Sequence, residues 1–241
     1  MPLAHAARFA TRFRLNELGP LLSLATVSFC VWGFVELASD VREGDTTDFD
    51  RKLMLSLRHP EDLSDPIGPS WFEEAARDIT ALGGHSILGI ISIAAFVYLL
   101  MAKKRGTAIL LAAAVIGGML LSSGLKMGFE RPRPDLVPHG ARVYTASFPS
   151  GHAMLSAVTY LTLGALLARA QSQRGAKAFL LGLAVFLTLI VGASRVYLGV
   201  HWPTDVLAGW SVGAAWAALC WFVALQLQKG GQVEKAGETS A

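Results

Sequence analysis

The chain has 241 residues, 53% of them apolar and 16% charged, with a net charge of +3. The apolar share exceeds the roughly 45–50% of soluble proteins and is gathered in blocks of about 20 residues, so a single membrane bundle fits better than two soluble domains. The charge is modest and its distribution shows nothing resembling a nucleic-acid-binding stripe, and Cys30 and Cys220, each inside an apolar block, read as buried apolar residues with no disulfide or metal site implied.

The N-terminal segment, 1–18, carries Arg8, Arg12 and Arg14 and leads into an apolar run over 19–38. The run is long and lacks a small-residue cleavage pattern, so it predicts a retained transmembrane helix rather than a signal peptide. A polar stretch over 39–81 follows. Within it Phe49, Leu53, Met54 and Leu57 fall near helical spacing, and 71–79 is similar, with Pro60, Pro66 and Pro69 between. Short amphipathic helices at the membrane interface and solvated helices covering the bundle both fit. Five further apolar blocks predict helices near 84–102, 107–125, 152–168, 178–196 and 205–227. The block at 152–168 is interrupted by Ser156, Thr159 and Thr162, whose hydroxyls can bond within or between helices. The expected fold is all-α: a six-transmembrane-helix bundle over 19–227, with short interfacial helices between the first two and a polar tail over 228–241.

Lys and Arg placement orients the bundle. The N-terminal arginines, the Lys103-Lys104-Arg105 turn, the turn with Arg169, Arg174 and Lys177, and the tail with Lys229 and Lys235 all fall on one side, the predicted cytoplasmic side. The other side nevertheless holds Lys126, Arg131, Arg133, Arg142 and Arg195. Cations against the orientation rule need another reason, and anion binding supplies one.

Three segments on that side carry chemistry. Lys126 ends a helix, and Arg133 follows seven positions later between Pro132 and Pro134, which stiffen the loop. An Arg fork matches phosphate oxygens, and Lys adds a point charge. Taken singly, Lys126 or Arg131 reads rather as a cation snorkelling to lipid headgroups. Pro149-Ser150-Gly151-His152 opens a helix whose free amides suit an anion; Ser150 can donate to a ligand or cap the helix, and His152 can give a proton to a leaving oxygen. Arg195 ends the next helix, followed by His201 and, four positions on, Asp205, with Pro203 fitted to a helix start. A carboxylate on one ring nitrogen fixes the tautomer and leaves the other nitrogen as a nucleophile, although an interfacial His–Asp bond without a catalytic role has the same spacing. Together the segments bring cations, a hydroxyl, two histidines and a carboxylate to one surface, an inventory sufficient for phosphoryl transfer.

Lys126-x6-Arg133-Pro134, Pro149-Ser150-Gly151-His152 and Ser194-Arg195-x5-His201-x3-Asp205 resemble the three-part signature of the type 2 phosphatidic acid phosphatase superfamily, the lipid phosphate phosphatases. The resemblance implies a metal-independent phosphatase with no cofactor. By the family's pattern His201 attacks phosphorus, Asp205 supports it, His152 protonates the leaving oxygen, and Lys126, Arg133, Ser150, Gly151 and Arg195 hold the phosphoryl group. Six spans argue against the superfamily's soluble vanadate-dependent haloperoxidases. The expected partners are membrane lipids and a lipid phosphate such as undecaprenyl diphosphate, phosphatidylglycerophosphate, phosphatidate or a lipid A phosphate, with no nucleic acid; the oligomeric state is not legible. The expected location is a bacterial inner membrane with the site facing the periplasm. Two alternatives stand: a lipid-linked phosphotransferase using the same site, and a non-catalytic anion-binding transporter, which would need neither His152 nor the His201–Asp205 pair.

Overall fold

The computed structural model describes residues 2–136 and 146–230, with side chains from Leu18 onward except that of Lys229. Arg142, Lys235 and the side chains of Arg8, Arg12, Arg14 and Lys229 therefore lie outside the described residues. The element order is α1 (Pro2–Glu43), α2 (Thr47–Leu55), β1 (Arg58–His59), β2 (Asp62–Pro66), α3 (Ser70–Ala81), α4 (His85–Met101), α5 (Arg105–Gly128), α6 (Gly151–Ala170), α7 (Arg174–Tyr197) and α8 (Pro203–Lys229). Five helices are long and apolar enough to cross a membrane: α1 from Leu18, α5, α6, α7 and α8. The sixth span is α4, which has 17 residues and qualifies when joined to α3 across a 48° bend. The chain is a multi-pass membrane protein, and large apolar side chains such as Leu22, Phe29, Trp32, Ile93 and Leu120 face outward, as contact with hydrocarbon requires.

The long polar stretch departs from expectation in two ways. The first helix continues to Glu43, because nothing in Ser39–Glu43 breaks it and Gly44, at φ 88°, ends it. Between α2 and α3 lies an antiparallel hairpin, pairing Arg58 with Pro66 and His59 with Asp62. Its strands are too short to show a period of two. The apolar residues of α2 also divide: Met54 faces the protein with Asp50, while Phe49 and Leu53 are exposed. On α3, Trp71 and Phe72 are likewise exposed. Apolar side chains turned outward beside a bundle of spans fit the interfacial alternative. Cys30 and Cys220 are free and half-buried rather than buried, since a helix face against lipid needs no protein cover.

Helix α6 is the most enclosed span, packed against α7, α8 and α5. Small residues set its spacing. A Cβ on Gly209 would sit 2.6 Å from the Ser150 carbonyl oxygen, and one on Gly213 2.5 Å from that of Met154. Such contacts let the α6 and α8 backbones touch, the usual means of helix association where lipid removes the hydrophobic drive. The consequence for function is direct: the starts of α6 and α8 are held side by side.

Candidate active site

The turn between α7 and α8 is built by the backbone. Gly199, at φ 69°, donates its N–H to Val196 O at 3.0 Å, and Val200 N–H donates to Arg195 O at 3.0 Å. This Schellman arrangement closes α7 and reverses the chain. His201 N–H reaches the same Arg195 carbonyl at 3.3 Å, so the arginine and the histidine are tied through the main chain. Pro203 then takes the first turn of α8, where its missing N–H costs nothing.

Asp205 stands in that first turn and is fully buried. Its Oδ2 accepts the Trp202 N–H at 2.9 Å and the Ser147 hydroxyl, and lies 3.4 Å from His201 Nδ1. Ser147 Oγ is also 3.3 Å from that nitrogen. On the far side of the ring, Arg133 Nη1 is 3.2 Å from His201 Nε2 and donates to Val200 O at 2.9 Å. A guanidinium can only donate, so Nε2 is an acceptor and the ring proton belongs on Nδ1, facing the carboxylate. That is the tautomer a nucleophile needs. Burial pushes the His201 pKa down to about 4, against the opposing pull of Asp205, so the ring is neutral at neutral pH. Burial likewise lowers Arg133 from the usual arginine value, with the charge of Asp205 opposing.

Further cations surround this pair. Lys126 Nζ, in the last turn of α5, donates to Ala146 O at 2.8 Å and lies within electrostatic reach of Arg133, Arg195 and Asp205. Arg195 donates through Nη1 to Thr80 Oγ1 at 3.0 Å, and its Nε is buried with no partner among the described residues. Ser150 stands one residue before α6 but makes no side-chain cap; its Oγ is buried and also lacks a partner. Two orphaned buried donors near mutually repelling cations are costly unless an anion completes them. Gly151 packs against the same lysine: a Cβ there would be 3.4 Å from Lys126 Cε. His152, the next residue, lies 6.5 Å from the His85 ring and within electrostatic reach of Arg195, Arg133 and His201.

All eight residues singled out in the sequence thus gather at one end of the bundle. Arg131 needs correction. Its side chain does not snorkel to headgroups; it is half-buried and points inward, with Nη1 2.7 Å from Asp205 Oδ1 and Nη2 2.6 Å from Asp50 Oδ2. Several neighbours were not anticipated: Asp50 on α2, Thr80 on α3, Ser147 and Thr204. A glycine directly after an apolar block signals a helix stop, so Gly199 was open to detection. Ser147 and Asp50 have no such local signal.

Among the described residues, no three His, Cys, Asp or Glu converge as a metal-ligand set. A family model described as the PAP2 superfamily matches residues 107–229. Phosphatidylglycerophosphatase B of Bacillus subtilis (strain 168) is 36% identical over 148 residues, covering 59% of this chain and 70% of that protein. Undecaprenyl-diphosphatase of Sulfolobus acidocaldarius is 36% identical over 89 residues, 37% of each chain. The crystal structure of a transmembrane PAP2-type phosphatidylglycerolphosphate phosphatase from B. subtilis is similar with a TM-score of 0.74 and 28% identity, covering 81% of this chain and 94% of that one.

Proposed function

The chain belongs to the PAP2 superfamily, and from that premise we propose that it hydrolyses a lipid phosphate or diphosphate through a phosphohistidine on His201. The observation that carries this reading is the His201 ring itself, neutral and buried, with Asp205 beside Nδ1 and an arginine donor on Nε2. In the proposed reaction Nε2 attacks the terminal phosphorus and the bond from it to the leaving oxygen breaks, the lipid oxygen in a monophosphate or the bridging oxygen in a diphosphate. His152 gives its proton to that oxygen. Lys126, Arg133, Arg195, Ser150 and the Gly151 turn hold the charge that grows on the phosphoryl oxygens. Asp205 stabilises the charge that appears on the substituted imidazole. A water molecule, deprotonated by His152, then cleaves the P–N bond and releases phosphate.

The domain organisation proposed with it is a cytoplasmic segment over 1–18, the membrane phosphatase unit over 19–227 and a cytoplasmic tail over 228–241. We place the chain in a bacterial inner membrane with the site at the periplasmic face, on the placement of Lys and Arg. The substrates named for its relatives, phosphatidylglycerophosphate and undecaprenyl diphosphate, are the first candidates. The test is phosphate release by the purified protein from a panel of lipid phosphates, with trapping of an acid-labile phosphoprotein. Wild-type turnover by His201→Ala would remove the mechanism, and transfer of phosphate to an acceptor without inorganic phosphate would make the protein a transferase. Orientation is read by labelling Glu61→Cys, on the hairpin, in a chain with Cys30 and Cys220 replaced by serine; labelling from the cytoplasmic side would reverse it.

A further inference from the structure

The carboxylate of Asp205 is one member of a larger, mostly buried unit. Arg131 bridges two acids: Nη1 donates to Asp205 Oδ1 at 2.7 Å and to Thr204 Oγ1 at 2.8 Å, and Nη2 donates to Asp50 Oδ2 at 2.6 Å. Asp50 closes the ring. Its Oδ1 accepts the Thr204 N–H at 2.9 Å, and its Oδ2 accepts the Thr204 hydroxyl at 2.6 Å. Asp50 is on α2, 154 residues from Thr204, and is 1% exposed. It therefore satisfies an orphan amide at the α8 start that the helix's own sequence leaves open.

Charge explains why the unit has three members. With Arg131 alone, Asp205 would sit in a neutral pair and offer His201 little negative potential. With Asp50 added, two carboxylates share one guanidinium, and the unit carries a net negative charge directly behind the imidazole. Nothing else among the described side chains bonded to Arg131 is acidic.

We propose that Asp50 is a positioning residue for the nucleophile: through Arg131 and Thr204 it fixes the start of α8 and keeps the Asp205 unit anionic, so that His201 can carry the charge of the phosphohistidine. Asp50 touches no substrate in this scheme. The inference rests on His201 being the nucleophile, as proposed above, and is tested so that the two can fail separately.

The full-length protein in detergent is assayed with long-chain phosphatidate, and inorganic phosphate serves as a competitive inhibitor. Asp50→Asn keeps the shape and removes the charge. It is expected to lower kcat at least tenfold, while KM and the phosphate inhibition constant stay within about threefold, because the phosphate-holding cations are elsewhere. Arg131→Lys keeps a cation but cannot fork to both acids, and is expected to reproduce the kcat loss. The double variant Asp50→Asn/Arg131→Lys should be no worse than the poorer single one, as for residues acting as one unit. Soluble, correctly melting Asp50→Asn with wild-type kcat, or a kcat loss matched by an equal weakening of phosphate inhibition, overturns the proposal while a dead His201→Ala leaves the parent reading standing. Should Asp50→Asn fail to fold, Arg131→Lys decides by the same kcat and inhibition criteria. An active His201→Ala overturns both.

Discussion

Two helices begin at the site, α8 at Pro203 and α6 at Gly151, and their starts are finished in opposite ways. At α8 the donors are satisfied. Asp205 accepts the Trp202 N–H, Asp50 accepts the Thr204 N–H from another element, and Pro203 has none to offer. At α6 the natural capping residue, Ser150, does not cap, and its buried hydroxyl stays unpartnered. The difference teaches what each end is for. A saturated end holds a fixed ring, which suits the proposed nucleophile; an unsaturated end beside Lys126, Arg133 and Arg195 suits the proposed phosphoryl group, an anion that arrives and leaves. Preorganised donors of this kind act most strongly where water is excluded.

Breaking the saturated end should cost most. His201→Ala is expected to lower phosphate release by about 10³-fold or more, since it deletes the proposed attacking atom. Asp205→Asn is expected to cost about 10²-fold and also to lower the melting temperature, because the carboxylate accepts from Arg131, Trp202 and Ser147 at once. Activity assays paired with thermal melts of the same preparations check both.

The unsaturated end should respond differently. Ser150→Ala is expected to lower kcat/KM about tenfold, the worth of one hydrogen bond to a charged group, with no measurable loss of melting temperature. A clear drop in stability would mean that the hydroxyl caps α6 after all and that the contrast between the two ends is false.

Acid titration sharpens the contrast further. The His201 imidazole takes a proton near 6.5 when unfolded and at about 4 when folded. Between those values the unfolded chain holds more protons, so acidification favours unfolding. The stability contributed by the neutral ring is present in full above about 6.5 and is lost as pH falls toward about 4. Melting curves over pH 4–8 should show this slope in the wild type and a shallower one in His201→Ala. The smallest effect expected is that of chelation: activity measured with and without EDTA should be equal, because in the proposed mechanism Lys and Arg do the charge work of a divalent ion. Loss on EDTA with recovery on magnesium would count against the cation-lined site.

Much of this was legible in the chain. Apolar blocks of membrane-spanning length set the number and rough limits of the helices, because a hydrocarbon core demands both length and internal hydrogen bonding. Lys126, Arg133, Ser150, His152, Arg195, His201 and Asp205 stood out because their chemistry is local: a cation at a helix end, a Pro-bounded arginine, and a histidine four residues before an acid. The hairpin at 58–66 and the division of α2 into an exposed apolar face and an Asp50 face were not legible. Two strands this short have no periodicity, and amphipathic spacing cannot say which side of a helix meets protein and which meets lipid.

What only the tertiary structure decided is which charges meet. Arg131 as a lone residue looked like a lipid-facing cation; the packing of α2 against α8 sets it between Asp50 and Asp205 instead. Ser147 reaches Asp205 across 58 residues and Asp50 reaches Thr204 across 154. Sequence spacing carries contacts within a turn or a helix, where backbone geometry fixes the distance. Contacts between distant segments depend on how closely elements approach, as where Gly209 and Gly213 bring α8 onto α6.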